Sequence, residues 1–368
     1  MAKIIRIDRS KQLREEPDKG HNRWHPDILP VVEVDPLEEV SIETRDSSDG
    51  QIRPGIGASD LLKMDPGVVH PLTGPVFVKG AMPGDLLEVE YLEIVPQRHA
   101  WTRFVPGLGF LHDLFDHPYL VHWDVTESWA TSASLHGVRI PNAAFMGTAG
   151  LAPSHRQLAE WTSREAELLA RGGTVFPPDA AGAVPPTEAI ARHGLRTIPP
   201  RENCGNVDVK QLTVGSRLLL PVNVEGALFS VGDAHFAQGD SECCGTAIEM
   251  GATVTVRFRL HRGEAARHGI LWPRFAHPRF MPPRPGPTNF IATMGMPVRQ
   301  DGRNESGDLT LAARNATINM IDLLAERGWS REQAYVLCSV AVDLTVSNVV
   351  DMPNVVVSAI LPEDIFHG

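Results

Sequence analysis

Cysteine is scarce in this chain, and its placement excludes two roles. The 368 residues contain four, Cys204, Cys243, Cys244 and Cys338, with no CxxC pair and no framework of matched spacings. That rules out a disulfide-stapled secreted fold and a cysteine-built zinc finger. Long apolar runs are missing as well: nothing approaches the ~20 residues needed to cross a bilayer. The opening MAKIIRIDRSKQLREEPDKG carries charge throughout and lacks the apolar stretch of a secretory signal. No basic block offsets a net charge of −11, which argues against nucleic acid and anionic membrane as partners. Internal repeats, a low-complexity tail and a Gly-rich phosphate loop opening a helix are absent too. A cytoplasmic protein with reduced thiols is expected. At 42% hydrophobic content the chain can build a large core in one or two closely packed domains.

What is present is concentrated in residues 222–250, VNVEGALFSVGDAHFAQGDSECCGTAIEM. Val222, Val224, Leu228, Phe229 and Val231 read as buried strand, with Gly226, Gly232, Gly239 and Gly245 marking turns or close approaches. Residues two apart on a strand share a face, so Asp233 and His235 should point the same way. Asp240, Glu242 and Cys244 would follow them if the chain stays extended past Gly239. A core strand has no use for so many ionisable groups, since each costs several kcal/mol (order of magnitude) to bury unpaired. A solvated hairpin with one satisfied histidine is the plainer alternative for any one of them. The whole set points to an active site.

The wording GDAHFAQGDSECCGTAIE resembles the GDxHxAQGDGExxGTAIE signature of the acetamidase/formamidase family. HPLTGPVFVKGAMPGDLLEVE, PPRENCGNVDVKQL, QDGRNESGDLTLAARNA and EQAYVLCSVAVDL resemble it as well, so the likeness runs nearly end to end. Within the family the chain is most similar to formamidases. The resemblance implies a jelly-roll-like β-sandwich or barrel core with a smaller C-terminal α+β portion, a small amide as substrate, and a homo-oligomer. Two positions depart from the pattern: Cys204 and Ser241 stand where glycine is usual. A positive φ at either would strain the residue by ~1 kcal/mol or more. Otherwise the added side chain could narrow the pocket and favour formamide.

The order of the chain also reads as mainly β, in one catalytic unit over 1–368. Strands are expected at 4–7, 31–34, 40–44, 68–95, 212–260 and 345–360, and a Pro/Arg loop at 272–287. Residues 99–200 look like an inserted excursion, first aromatic and then Pro-rich. A helix at 154–172 starts at Ser154, with Leu158, Trp161, Leu168 and Leu169 on one side. Residues 309–368 should hold two helices, the second opened by the capping box Ser330-x-x-Gln333, and a closing strand. In GHNRWHPD, His21 and His25 lie four apart, but Gly20 and Pro26 disfavour a helical metal pair. A loop packed on the core is expected there.

Three chemistries could cleave an amide. In the first, Asp233, His235 and Asp208 hold a divalent metal, with zinc favoured because the family includes zinc-containing amide hydrolases. Glu242 is then the general base. Gln238 and Asn206 bind or polarise the amide, Lys79 orients an acid, and Glu249 contacts substrate or supports the metal. In the second, Cys244 forms a thioester near His235. The third is a Glu-Lys-Cys set completed by Lys79 or Lys210. A non-catalytic small-amide-binding β protein is the alternative outside enzymology.

Overall fold

The computed structural model describes residues 3–279 and 289–367. Two sheets face one another across the main core. The smaller has six strands in the order Lys3–Ile5, Glu39–Glu43, Ala252–His261, Leu86–Pro96, Arg217–Pro221 and Arg274–Ala276. Only the first pairing is parallel. The alternation read at 252–260 decides which face is buried. Val254, Val256 and Phe258 are fully covered, while Arg257 points outward and pairs with Glu90 at 2.8 Å.

The larger sheet has eleven strands. Its spine runs Arg139–Pro141, Trp129–Thr131, Tyr119–Val125, His99–Phe104, Glu249–Met250, Phe229–His235, Phe145–Leu151 and Cys204–Asn206. Leu72–Val78 also pairs with Phe229–His235 and carries Gly20–His21 and Val32–Val34. Phe229 of this sheet meets Phe258 of the smaller one edge to face, ring centroids 5.3 Å apart. Neither sheet closes into a barrel among the described residues.

Residues 99–200 are not a simple insertion. Their first half supplies five strands of the larger sheet, because Ala100, Val121, Trp123 and Ala149 alternate into the core. Their second half folds back: Leu195–Arg196 pairs with Arg23–Trp24. The helix His155–Ala170 starts where expected, with Ser154 accepting the Gln157 N–H in a capping box. Leu158 and Trp161 pack under it with Trp24 and Leu195, but Leu168 and Leu169 are exposed. His21, Arg23, Trp24 and His25 are buried without forming a helix.

Helices Leu309–Glu326 and Arg331–Ala341 follow, the second opened by the Ser330–Gln333 box. The expected single strand over 345–360 is instead a hairpin. Asp343–Asn348 and Val356–Pro362 pair with each other, and Phe290–Gly295 adds to the latter. The Met352-Pro353 step in the connecting turn has no place in a continuous strand. The 272–287 loop contains the short strand Arg274–Ala276, and its residues 280–287 lie outside the described residues. No helix among the described residues is long and apolar enough to cross a membrane.

Candidate active site

The Phe229–His235 strand runs through the middle of the larger sheet and delivers Asp233 and His235 to one buried spot. Asp233 adopts φ +54°, a conformation that aspartate tolerates better than most residues. Its Oδ1 lies 3.4 Å from Nε2 of His235. Glu249, on the neighbouring Glu249–Met250 strand, brings Oε1 to 3.3 Å from the same nitrogen. Asp208 approaches the imidazole from the other side, 3.9 Å from Nδ1, and Glu242 stands 4.0 Å from Nε2. Asp208 and Glu242 also have positive φ, 48° and 49°. Three carboxylates held in this conformation around one imidazole concentrate backbone strain of order 1 kcal/mol or more each at a single point.

Hydrogen bonds fix the imidazole. Nδ1 of His235 donates to Oε1 of Gln238 at 2.9 Å, and the Gln238 amide donates to the Asp208 carbonyl, also at 2.9 Å. Ser47 donates to Glu249 at 2.7 Å, and the Ala247 N–H donates to the other oxygen at 3.0 Å. Thr148 lies 2.5 Å from Oδ1 of Asn206 and 3.1 Å from Oδ2 of Asp233, and its single proton serves one at a time. Several buried atoms remain without partners: Nε2 of His235, Oδ1 of Asp233, Oδ1 of Asp208 and Nδ1 of His70. Buried polar atoms rarely go unpaired, so their convergence marks a place for a ligand.

Electrostatics reflect the crowding. Burial pushes the Asp208 carboxyl up to about 8, with Asp233 and Glu249 adding to the rise against the pull of His235. Burial, then Asp208, lifts Glu242 well above the usual carboxylate range. Burial would raise Asp233 too, but His70 and His235 hold it below its ordinary value. Burial opposes the charge on His235, yet Glu249 and Asp233 raise its pKa well above the usual imidazole value. The cluster opens on a cavity of about 220 Å³ whose wall includes Asp208, Asp233, Glu242, Glu249, Asn206 and Arg103.

Residues 6–368 match the model of the Acetamidase/Formamidase family. The chain belongs to this family. An acetamidase of Mycolicibacterium smegmatis is 39% identical, the match covering 91% of this chain and 88% of that protein. A formamidase of Methylophilus methylotrophus is 34% identical over 100% of this chain and 94% of its own. The solved γ-lactamase from Delftia acidovorans has the same fold, with a TM-score of 0.94 at 37% identity, covering 99% of this chain and 93% of that one.

Several residues singled out in the family signature do not sit where an extended chain would place them. The strand stops at His235, and residues 236–248 turn repeatedly. Glu242 therefore enters the cavity, whereas Asp240 faces Lys210 at 3.6 Å. Gln238 is not at the cavity wall, and both ends of its amide are occupied, by His235 and by the Asp208 carbonyl. Asn206 is at the wall, its amide donating to the Ile198 carbonyl at 3.1 Å. Asp208, Asp233 and His235 do not form one close triple. Asp233, His235 and Glu249 do, and Asp208, His235 and Glu242 form another.

Three further candidates lie outside the cavity wall. Lys79 lies at the surface with Asp35 3.3 Å away and lines no part of the cavity. Lys210 is engaged with Asp343, which leaves no lysine for a Glu-Lys-Cys set. Cys244 is buried with its thiol against the Thr246 and Arg103 carbonyls, and burial pushes it up to about 11. It is not in the cavity wall and packs within the main hydrophobic core. Cys204 and Ser241 do have positive φ, 76° and 135°, and neither lines the cavity. Both hold a conformation that favours glycine, at a cost of about 1 kcal/mol or more each.

Sequence reasoning missed Arg103, Ser47, Thr148 and any site role for His70. Arg103 lies on the His99–Phe104 strand, where its place two residues after Trp101, on the same strand face, was the available signal. Gly147 was missed too. A Cβ there would come within 2.5 Å of Oδ1 of Asp208 and 2.7 Å of Cε1 of His235.

Proposed function

We propose that this chain hydrolyses the C–N bond of small linear amides, formamide to formate and ammonia and acetamide likewise, with water as nucleophile. The reading rests on the unpartnered Nε2 of His235, set between Asp233 and Glu249 and 4.0 Å from Glu242 at a cavity wall. A buried group of acids around an imidazole is costly unless protons or a cation offset the charge. The donor set fits a divalent cation held by His235, Asp233 and Glu249. Zinc suits such mixed nitrogen and oxygen ligands, and when bound it lowers the pKa of water and polarises a carbonyl.

The remaining residues take up the proton work. Glu242 and Asp208 share a proton because two buried carboxylates this close do not both ionise readily. Glu242 accepts a proton from the attacking water and passes it to the leaving nitrogen as the C–N bond breaks. Arg103, whose Nε has no partner, faces the same cavity and can donate to the oxygen on which charge develops. Asn206 supports the amide side of the pocket.

Ammonia release from formamide and acetamide tests the reaction, with metal content measured on the same preparation. Full activity after complete chelation would remove the cation from this reading. Absence of ammonia from either substrate in a metal-loaded preparation would favour a non-catalytic amide-binding protein. We also read the facing sheets as jelly-roll-like, 1–368 as a single catalytic unit, and the assembly as a homo-oligomer. Exposed Phe290, Met294 and Val346 on the three-stranded sheet support the last point.

A further inference from the structure

A second group of metal-type side chains stands apart from the wall of the catalytic cavity. His25 and Asp27 follow the strand Arg23–Trp24, His155 opens the helix His155–Ala170, and His193 closes the helix Glu188–His193. Strand pairing brings the first and last of these together. Leu195 pairs with Trp24 in an antiparallel ladder, and one step further along that register sets His25 opposite Gly194, next to His193. Trp24, Leu158, Trp161 and Leu195 share one apolar cluster, which holds the start of the longer helix at the same place.

The separations are close to those of a filled site. Oδ1 of Asp27 lies 3.0 Å from Nε2 of His155, and its Oδ2 lies 3.8 Å from Nδ1 of His25. One ligand atom from each of the three residues lies within 4.8 Å of the other two. Around a tetrahedral zinc with bonds of about 2.0–2.1 Å, neighbouring ligand atoms stand roughly 3.3 Å apart, between the two measured separations. The rings of His25 and His155 meet edge to face, centroids 5.7 Å apart. Nδ1 of His25 accepts the Asp27 N–H at 3.2 Å, so the neutral ring carries its proton on Nε2 and keeps a lone pair on the side of Asp27. Burial lowers the pKa of this ring against the pull of Asp27, and His155 and His193 lower it further, which keeps it in its ligating form at neutral pH. The His25 side chain is 4% exposed, against 56% for Asp27 and 68% for His155. A cation arriving from solvent would therefore rest on one buried anchor and be closed over by two exposed ligands.

An ion pair between Asp27 and His155 is the plainer use of their contact. Such an exposed pair contributes little, and it leaves the convergence of His25 and His193 unexplained. We propose that His25, Asp27 and His155 form a second metal site, for zinc or another divalent cation that prefers imidazole nitrogen, with His193 or water completing the shell. Mixed nitrogen and oxygen ligands of this kind suit zinc. The helix N-terminus disfavours a cation near His155, and the Asp27 carboxylate offsets that. The role of the site is structural. The ladder between Arg23–Trp24 and Leu195–Arg196 is only two residues long, and a pair of strands by itself is marginal in water. A cation bound beside it ties the N-terminal segment to both helices. Nothing in this site depends on amide hydrolysis.

The test uses the full chain without a polyhistidine tag, stripped by strong chelation and titrated with zinc alone to micromolar free concentration. The wild type should bind one more zinc ion per chain than either His155→Ala or Asp27→Asn, whatever the catalytic cluster holds. Both substitutions fall on exposed side chains, and far-UV circular dichroism checks that the variants are folded. Zinc should also raise the melting temperature of the wild type by several degrees more than that of either variant. Equal zinc content in the three folded proteins would overturn the site and leave Asp27 and His155 as an ordinary ion pair.

Discussion

Nδ1 of His235 donates to Oε1 of Gln238 across 2.9 Å, and this bond decides which imidazole nitrogen faces the acids. The Gln238 amide nitrogen is committed to the Asp208 carbonyl, so its oxygen must be the end that meets the ring. With Nδ1 carrying the proton, a neutral ring presents a lone pair on Nε2 toward Asp233 and Glu249. Ligating histidines depend on such outer partners for tautomer and orientation. Gln238→Leu should therefore weaken zinc binding about 10- to 100-fold, read by competition with a chromogenic chelator. Unaltered affinity in a folded Gln238→Leu protein would separate Gln238 from the metal.

Asp208 and Glu242 can be told apart by what each loses. Glu242→Gln removes basicity and keeps size, so turnover should fall ~10²-fold or more with metal content retained. Asp208→Asn removes a like charge beside Glu242. The Glu242 carboxyl should then fall back toward the ordinary range, and the acidic limb of the pH–rate profile should move to lower pH. Metal content should be unchanged in this variant also. Loss of the metal from Asp208→Asn would place Asp208 among the ligands and dissolve the proton-sharing pair.

How much of this was legible in the sequence depended on whether a residue's role is local. Asp233 and His235 could be paired in advance because strand periodicity is a local rule, and Ser330 or Ser154 could be named as caps for the same reason. Glu242 was legible as an acid in the signature but not by its direction. Ser241 and Glu242 take positive φ without being glycine, so no residue type announces the turn. Trp101, which faces Glu249 across the sheet, and Thr148, which faces Asn206, enter through pairings between distant segments. Register of that kind cannot be read from one strand alone. Lys79 failed for the opposite reason: its strand ends at Val78, and the side chain follows the surface turn toward Asp35.

Gly147 tests how tightly the site is built. Its backbone has no positive φ, so alanine costs nothing in conformation, and the whole effect must come from contact. A Cβ would press on Asp208, on the His235 ring and on the Asp233 carbonyl at 2.9 Å, and the last is backbone that cannot swing away. Gly147→Ala should displace the two functional side chains and cut kcat/KM at least tenfold. A misplacement of about 1 Å is enough to cost 10²-fold. Melting temperature should change less than it does for a core truncation. Full activity in Gly147→Ala would mean that the cluster tolerates movement and is not preorganised.

His21 gives a prediction about stability that is independent of catalysis. It is fully buried, its Nε2 lies 2.7 Å from Oγ of Ser230, and its Nδ1 has no partner. Burial lowers its pKa from 6.5 to about 4, against a weaker opposing influence of the Arg23 backbone. The unfolded chain therefore takes up a proton at this residue before the folded one does. Stability from this source is complete above pH 6.5 and is lost as the pH falls toward 4, by about 2 kcal/mol at pH 5 and about 3 kcal/mol at pH 4. Asp49 acts in the opposite sense. Burial pushes its carboxyl up to about 6, so the folded state gains a proton first and is favoured by acid. The wild-type curve mixes the two, and the informative comparison is with His21→Gln, which keeps a donor near Ser230 and cannot titrate. Between pH 7.5 and 5, urea unfolding should show the wild type losing about 2 kcal/mol more than His21→Gln does. Parallel curves for the two proteins would mean that His21 gains its proton without disturbing the fold, and that the packing around it opens at low cost.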